Sequence, residues 1–263
     1  AATSGGTDVS PATPADDITT EFYTWDQATA LKNIASTDIS YAVPRRDWSN
    51  STTYDMYESN ISTSNTTTSG AASIYESTFF FRTTDNRVYK VMDNNSGAAY
   101  SGAEPTSEST SLFTLGGYTL KYMYTISTSD FTKFMTADFM PVTTDSTVSA
   151  AATDGEIISL VVTGGSGYTN GTYYAAVYGD GTSQGTSSGA IISIVVSGNA
   201  IQSFGLTAGT DTVVNTAGSG YTYGTVNLDS GYTFSDAALT SASAMGGSGG
   251  EVTVQISPKN GHG

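Results

Sequence analysis

Gly117-Tyr118-Thr119-Leu120-Lys121-Tyr122-Met123-Tyr124-Thr125-Ile126 decides the fold class. Tyr118, Leu120, Tyr122, Tyr124 and Ile126 alternate along it, which predicts a strand with all five side chains on one buried face. Just upstream, Thr78–Thr83 (TFFFRT) and Arg87–Met92 (RVYKVM) flank Thr84-Asp85-Asn86, a pattern that predicts a tight hairpin. Just downstream, Phe131, Phe134 and Met135 sit at i, i+3 and i+4 ahead of Pro141, predicting a short helix near 129–138. Residues 49–72 and 94–111 read as loops, with a short strand expected at Tyr54, Met56 and Tyr57. Toward the N-terminus, residues 1–15 read as an extended arm. Asp16 or Asp17 then caps a helix near 17–35, with Glu21 in its first turn and Ile18, Phe22, Trp25 and Ala28 at helical spacing.

Beyond residue 150 the composition turns Gly-rich and the pattern turns to short strands: 157–162, 172–178, 190–196, 201–206, 225–228 and 251–256. The segment Gly165-Ser166-Gly167-Tyr168-Thr169-Asn170-Gly171-Thr172 recurs as Gly218-Ser219-Gly220-Tyr221-Thr222-Tyr223-Gly224-Thr225. Ile157-Ile158-Ser159-Leu160-Val161-Val162 is echoed by Ile191-Ile192-Ser193-Ile194-Val195-Val196. The two echoes have different offsets, so the pattern is one of duplicated hairpin units rather than a solenoid. Gly in the repeats supplies positive φ, and each Tyr is expected to seal a sheet end. Apolar runs of this kind need cover on both faces, so at least three or four strands must pack together. The expected organisation is an arm at 1–15, an α+β/β domain at 16–150, a Gly-rich β insertion at 151–250, and a C-terminal strand and tail at 251–263. The fold class is mainly β, with antiparallel sheets in a β-sandwich-like arrangement, an N-terminal helix and a Gly-rich second β domain. Deleting 155–250 is expected to leave the first half folded.

Composition narrows the function. The chain has 263 residues with nine Lys+Arg against 24 Asp+Glu, a net charge of −15. Such a balance does not neutralise a phosphate backbone, so no nucleic-acid partner is expected. No apolar run approaches the ~20 residues of a membrane helix, so no membrane insertion is expected. There is no Cys and a single His, His262, which argues against thiolate zinc sites, thiol nucleophiles and a Ser-His-Asp triad. Residues 134–258 hold nine acids and no Lys or Arg. That half repels anionic surfaces and leaves neutral or basic partners. Ser and Thr make up roughly three residues in ten, a surface of hydroxyls rather than ion pairs.

The densest chemistry lies in Pro44-Arg45-Arg46-Asp47-Trp48, which holds the chain's Arg-Arg pair and one of its two Trp. Either an Arg pairs with Asp47 while Trp48 plugs the core, or the segment anchors a protein interface, where Arg and Trp are typical hot spots. On both readings at least one Arg is expected in a bidentate pair to a carboxylate near the base of the first-half sheet, with Trp48 largely buried. Gly179-Asp180-Gly181-Thr182 and Asp93-Asn94-Asn95-Ser96-Gly97 lack the ligand series of a calcium loop and read as turns. The Gly-Ser-Gly-Tyr copies lack the Lys of a P-loop. No catalytic, cofactor-binding or metal-binding residue is singled out, and no cofactor is expected.

The order and spacing of three blocks carry a resemblance. Ala42-Val43-Pro44-Arg45-Arg46-Asp47-Trp48, Arg87-Val88-Tyr89-Lys90-Val91-Met92-Asp93-Asn94-Asn95 and Gly117–Ile126 resemble the gene-eight-type baseplate wedge subunits of T4-like contractile-tailed phages, most of all those of cyanophages and other marine myoviruses. The resemblance covers roughly residues 15–142. It implies a non-enzymatic virion protein, mostly β, that forms a homodimer and sits among other wedge subunits of the tail baseplate after assembly in the host cytoplasm. Family members begin with a further strand and continue past the region of Pro258–Gly263, so truncation at both ends is expected. The Gly-rich part does not match the T4 version. The rival expectations are a tail-fibre or receptor-binding β protein recognising a host surface glycan and, third, a glycan-degrading enzyme with paired Asp.

Overall fold

The computed structural model describes residues 33–261 and, before them, Gly6, Thr7, Ser10, Pro11, Phe22, Asp26 and Ala28. The chain divides into two compact units, Ala1–Ile39 and Ser40–Gly263. In the first, β1 (Gly6–Thr7) pairs antiparallel with β2 (Ser10–Pro11) inside the stretch expected as an extended arm. Phe22 and Asp26 are helical, whereas Ala28 and residues 33–35 are not, so the helix expected near 17–35 stops short of its expected end. A 3-10 turn follows at Ser36–Asp38, where the Asp38 carboxylate accepts the Ala35 amide at 3.1 Å. Such a local side-chain bond offers the backbone an alternative to helix. The remainder of that helix lies outside the described residues.

The second unit runs through β3 (Tyr41–Pro44), β4 (Phe80–Arg82), β5 (Arg87–Asp93), β6 (Phe113–Leu115), β7 (Tyr118–Thr125), α1 (Thr128–Phe134), β8 (Phe139–Val142) and α2 (Ser146–Ala151). It continues through β9 (Ile157–Tyr168), β10 (Gly171–Gly179), β11 (Ile191–Ser197), β12 (Ala200–Ile201), β13 (Val213–Thr216), β14 (Gly224–Val226), β15 (Thr233–Phe234) and β16 (Gly246–Ile256). The described fold is mainly β with antiparallel ladders, and the two α-helices of the second unit are short.

β4, β5, β7 and β6 form a four-stranded antiparallel sheet in that spatial order. The expected hairpin is β4–β5, with Asn86 in the left-handed region at φ +64° closing the turn. The strand at 118–125 departs from the expected single face. Val88 pairs with Tyr124 and Tyr89 with Tyr122, so Met123 is an extra residue in a bulge. The bulge shifts the alternation by one and sends Tyr122 and Tyr124 to opposite faces. Tyr118, Leu120 and Tyr122 therefore pack with Tyr54, Phe81, Tyr89, Val91, Tyr100 and Val148. Tyr124 and Ile126 pack instead with Val88 and Met140. The helix near 129–138 is α1, ending earlier because Met135 is extended; the Ser127 hydroxyl caps it by accepting the Asp130 amide at 3.1 Å.

Tyr54, Met56 and Tyr57 form no strand. They follow a path set by Asp55, which is fully buried. Its carboxylate accepts the amides of Ser69 at 2.7 Å and Thr78 at 2.8 Å and the hydroxyls of Ser69 at 2.7 Å and Ser77 at 3.2 Å. One buried acid thus folds the Ser/Thr-rich loop of 58–77 back onto the sheet. Burial alone would raise its pKa; the hydrogen bonds from Thr78 and Ser69 outweigh that and hold it below the ordinary carboxylate value.

In the Gly-rich half, β9 and β16 form a long two-stranded ladder. The strand expected from residue 251 starts at Gly246 and pairs with β9. β10, β11, β12, β13, β14 and β15 make a six-stranded sheet. Of the strand expected at 201–206 only β12 forms, and β13 and β15 arise where none was expected. Both ladders enclose one core of Ile157, Leu160, Tyr173, Val177, Ile192, Ile194, Val252, Val254 and their neighbours.

The two Gly-Ser-Gly-Tyr copies share a backbone and a job. Gly165 and Gly167 have φ of +62° and +76°; Gly218 and Gly220 have +63° and +72°. Tyr168 and Tyr221 are both buried in the core. The Tyr168 hydroxyl accepts the Gly250 amide at 3.0 Å, and the Tyr221 hydroxyl accepts the Ala190 amide at 3.2 Å. Each ring lies flat on a facing glycine, Tyr168 on Gly247 and Tyr221 on Gly181, where a Cβ would strike the ring. Each copy then launches a strand, β10 at Gly171 and β14 at Gly224. The halves meet where Ile158 of β9 packs with Tyr57 and Met92, and where the Ser59 amide donates to Gln255 Oε1 at 3.0 Å.

Candidate functional site

Pro44–Trp48 forms the corner by which the chain passes from the β3–β8 ladder to the four-stranded sheet. Pro44 pairs with Phe139 at the end of β8, and the Arg45 amide donates to Asp138 O at 2.7 Å. The chain then joins the open edge of β4 in parallel. Arg82 N donates to Arg46 O at 2.7 Å, and Trp48 N to Arg82 O at 2.8 Å. The motif is thus part of the sheet, which fixes where its side chains emerge.

Asp47 is shared by two guanidinium groups. Its Oδ2 accepts from Arg45 Nη2 at 2.7 Å and Nε at 3.0 Å; its Oδ1 accepts from Arg82 Nη2 at 2.6 Å and Nε at 2.8 Å. Partial burial alone would raise the Asp47 pKa, but hydrogen bonds from Arg45 and then Arg82 hold it down. The cluster is open to water, with 45% of the Asp47 side chain exposed, so screening limits its contribution to stability. Its stronger effect is geometric, since two planar forks on one carboxylate leave few rotamers. Arg46 turns the other way. Its Nη2 donates to Tyr75 O and Glu76 O, both at 3.1 Å, and its guanidinium lies 5.2 Å from the Phe80 ring centre. Trp48 is partly buried against the first-half core and meets Tyr100 edge-on at 5.9 Å. Trp48 Nε1 and Arg46 Nε are buried and have no hydrogen-bond partner among the described residues.

Arg82 was not foreseen as a member of this cluster. An Arg closing the apolar run Phe79-Phe80-Phe81 was the available signal, because a cation in such a strand needs a partner. Beside the cluster lie exposed apolar side chains: Phe139 opposite Pro44, and Phe131 at 5.9 Å from the Arg82 guanidinium. Tyr75 is 64% exposed, and Tyr41 at the start of β3 is 86% exposed. Arginine and aromatic residues are the side chains enriched at protein-binding surfaces.

Ionisable groups also lie in a turn, a small cavity and a larger cleft. Asp180 caps the second repeat, accepting the Thr222 amide at 2.8 Å and the Thr222 hydroxyl. A cavity of about 270 Å³ between the halves has Asp93 and Asp211 in its wall. Both carboxylates serve nearby backbone: Asp93 accepts the Asn95 amide at 2.9 Å, and Asp211 the Thr207 amide at 3.0 Å. Burial pushes the Asp93 carboxyl pKa up. A larger cleft of about 610 Å³ has both Lys121 and Glu156 in its lining. Burial lowers the pKa of Lys121, whose Nζ donates to Thr110 O at 3.0 Å, and raises that of Glu156. No group of three or more His, Cys, Asp or Glu that would hold a metal ion occurs among the described residues.

No known family, curated protein or solved structure matches this chain.

Proposed function

We propose that this protein is a structural subunit that works by assembly, of the baseplate-wedge type of contractile-tailed phages, and not by turnover. The observation that carries the reading is the rigid Arg45–Asp47–Arg82 cluster beside exposed Phe131 and Phe139, with exposed Tyr75 near Arg46. Such a surface is costly to leave in water and suits burial against a neighbouring subunit or a second copy. The sequence resemblance supports the more specific reading. Its three blocks lie in one connected set of strands: the first joins β4, β4 pairs with β5, and β5 with β7.

The test is to purify contractile-tailed particles from the source of this chain and look for it by mass spectrometry and in a density map. The expected result is the chain in the baseplate, with exposed Phe139 and Tyr75 covered by neighbouring subunits. Absence from purified particles, or measured glycan hydrolysis by the chain, overturns the reading.

A further inference from the structure

The outer face of the six-stranded sheet carries a second aromatic surface, in the half that holds no Lys or Arg between 134 and 258. Along β10, Tyr173, Ala175 and Val177 point into the core, so Tyr174, Ala176 and Tyr178 point outward. Tyr174 pairs with Phe234 of β15, and Tyr178 with Thr225 of β14. A Cβ on Gly224 would point at Val177 and Val254 in the core, so Tyr223 and Thr225 on either side face out with Tyr178. The Tyr232 ring meets Tyr178 edge-to-face at 5.9 Å and 76°. Tyr178, Tyr232 and Tyr223 remain 37%, 43% and 61% exposed.

The Tyr178 and Tyr232 rings are packed against neighbours. Tyr178 is seated on Gly185, where a Cβ would stand 2.6 Å from the ring, and Gly185 N donates to Val177 O at 2.8 Å. Tyr223 is fixed at its backbone only, through its amide, which donates to Asp180 Oδ1 at 3.3 Å. Ala176 lies on the same outward side yet is only 1% exposed. Rigid aromatic faces bind at little entropic cost.

We infer that this face is a binding platform for a neutral saccharide, with Tyr178 and Tyr232 stacking on pyranose rings and Tyr223 flanking them. Tyrosine offers a π face to the polarised C–H groups of a sugar and a hydroxyl to its O–H groups. The charge of this half selects among ligands. With acids and no base, it disfavours phosphate, sulfate and uronate groups. The carboxylates of Asp180 and Asp236 are engaged by their own loops, through Thr222 and Tyr223 and through Thr240 and Ser241, which occupies part of their acceptor capacity. A ligand without charge, apolar on one face and hydroxylated at its rim, fits both facts. This platform and the assembly reading stand on different residues, and neither depends on the other.

The experiment titrates the full chain with cellohexaose, maltohexaose and mannohexaose, with a hexagalacturonate and a Lys-rich peptide as contrasts, by calorimetry at low and high salt. The expected result is saturable millimolar or tighter binding of at least one neutral hexasaccharide, insensitive to salt. Affinity should fall at least roughly tenfold in Tyr178→Ala/Tyr232→Ala and be largely kept in Tyr178→Phe/Tyr232→Phe. The single change Tyr232→Ala gives the same reading if the double variant loses its fold. No saturable binding of any neutral hexasaccharide, unchanged affinity in the alanine variants, or salt-sensitive preference for the Lys-rich peptide overturns the inference.

Discussion

Asp55 has no exposed surface, and its carboxylate is the fixed point for a loop of about twenty residues. Asp55→Ala removes the acceptor of two amides and two hydroxyls and should cost roughly 3 kcal/mol in chemical denaturation. Because the folded pKa lies below the unfolded one, the acid's contribution is fully present above the unfolded carboxylate pKa. It is lost as pH falls through the lower folded value. The gap between the wild type and Asp55→Ala should therefore narrow in an acid titration. Lys90 has the opposite logic. It lies 4.3 Å from the Tyr57 ring centre, and burial, then the charge of Lys121 opposite it, pushes its pKa down to about 7. The unfolded value is about 10.4, so the cost of holding the charged amine is fully present below pH 7. It is relieved as pH rises between the two values. Lys90→Met should accordingly gain most over the wild type near pH 6, with a melting-temperature advantage that shrinks steadily toward pH 10. A constant difference across that range would contradict the assignment.

At the scale of elements, the duplicated Gly-Ser-Gly-Tyr units behave as one device used twice. A phenol that accepts a buried amide and a ring that covers a facing glycine join two strands without a salt bridge. Tyr168→Phe and Tyr221→Phe each leave an amide without its acceptor and should each cost roughly 1–2 kcal/mol in urea unfolding. Gly165→Ala is harsher. Its φ is +62°, and the new Cβ would stand 2.6 Å from Ser248 O, against backbone that has no room to move. The cost should be several kcal/mol, on the order of strain plus overpacking, with exchange protection lost first along β9 and β16. Equal penalties for the two Tyr→Phe changes would mark the copies as equivalent in energy as well as in shape. A penalty at only one would separate them.

For the whole second unit, the arrangement of cores sets what depends on what. The first-half core of Tyr54, Phe81, Tyr89, Tyr118 and their neighbours takes no residue beyond Val148. A chain lacking 155–250 should therefore keep its near-ultraviolet tyrosine circular dichroism. It should melt lower, because Tyr57 and Met92 lose Ile158. A featureless spectrum would show that the first half cannot stand without the Gly-rich half. On the exposed side, Phe139→Asp with Tyr75→Asp should leave the melting temperature within a few degrees, since both are exposed. The same pair should abolish self-association or co-assembly in light-scattering measurements. Unchanged association would remove this surface from the assembly.

The β class, the hairpin at 84–86, the short helix after Ile126 and the repeated Gly-Ser-Gly-Tyr turns were legible because each is written in neighbouring residues. Alternation, turn chemistry and glycine conformation act over a few positions and need no partner. The bulge at Met123 was not legible, because a one-residue slip is set by how β5 packs beside β7 and leaves no mark on either strand alone. The same holds for Arg82 joining Arg45 on Asp47, and for Asp55 gathering Ser69 and Thr78. In each case a charged group required partners, and the sequence showed the requirement. Which partners met it depended on contacts between segments 14 to 35 residues apart in the chain, and that was decided by the tertiary fold. The outward row of Tyr178, Tyr223 and Tyr232 belongs to the same class, since three tyrosines become one surface only when β10, β14 and β15 are set side by side.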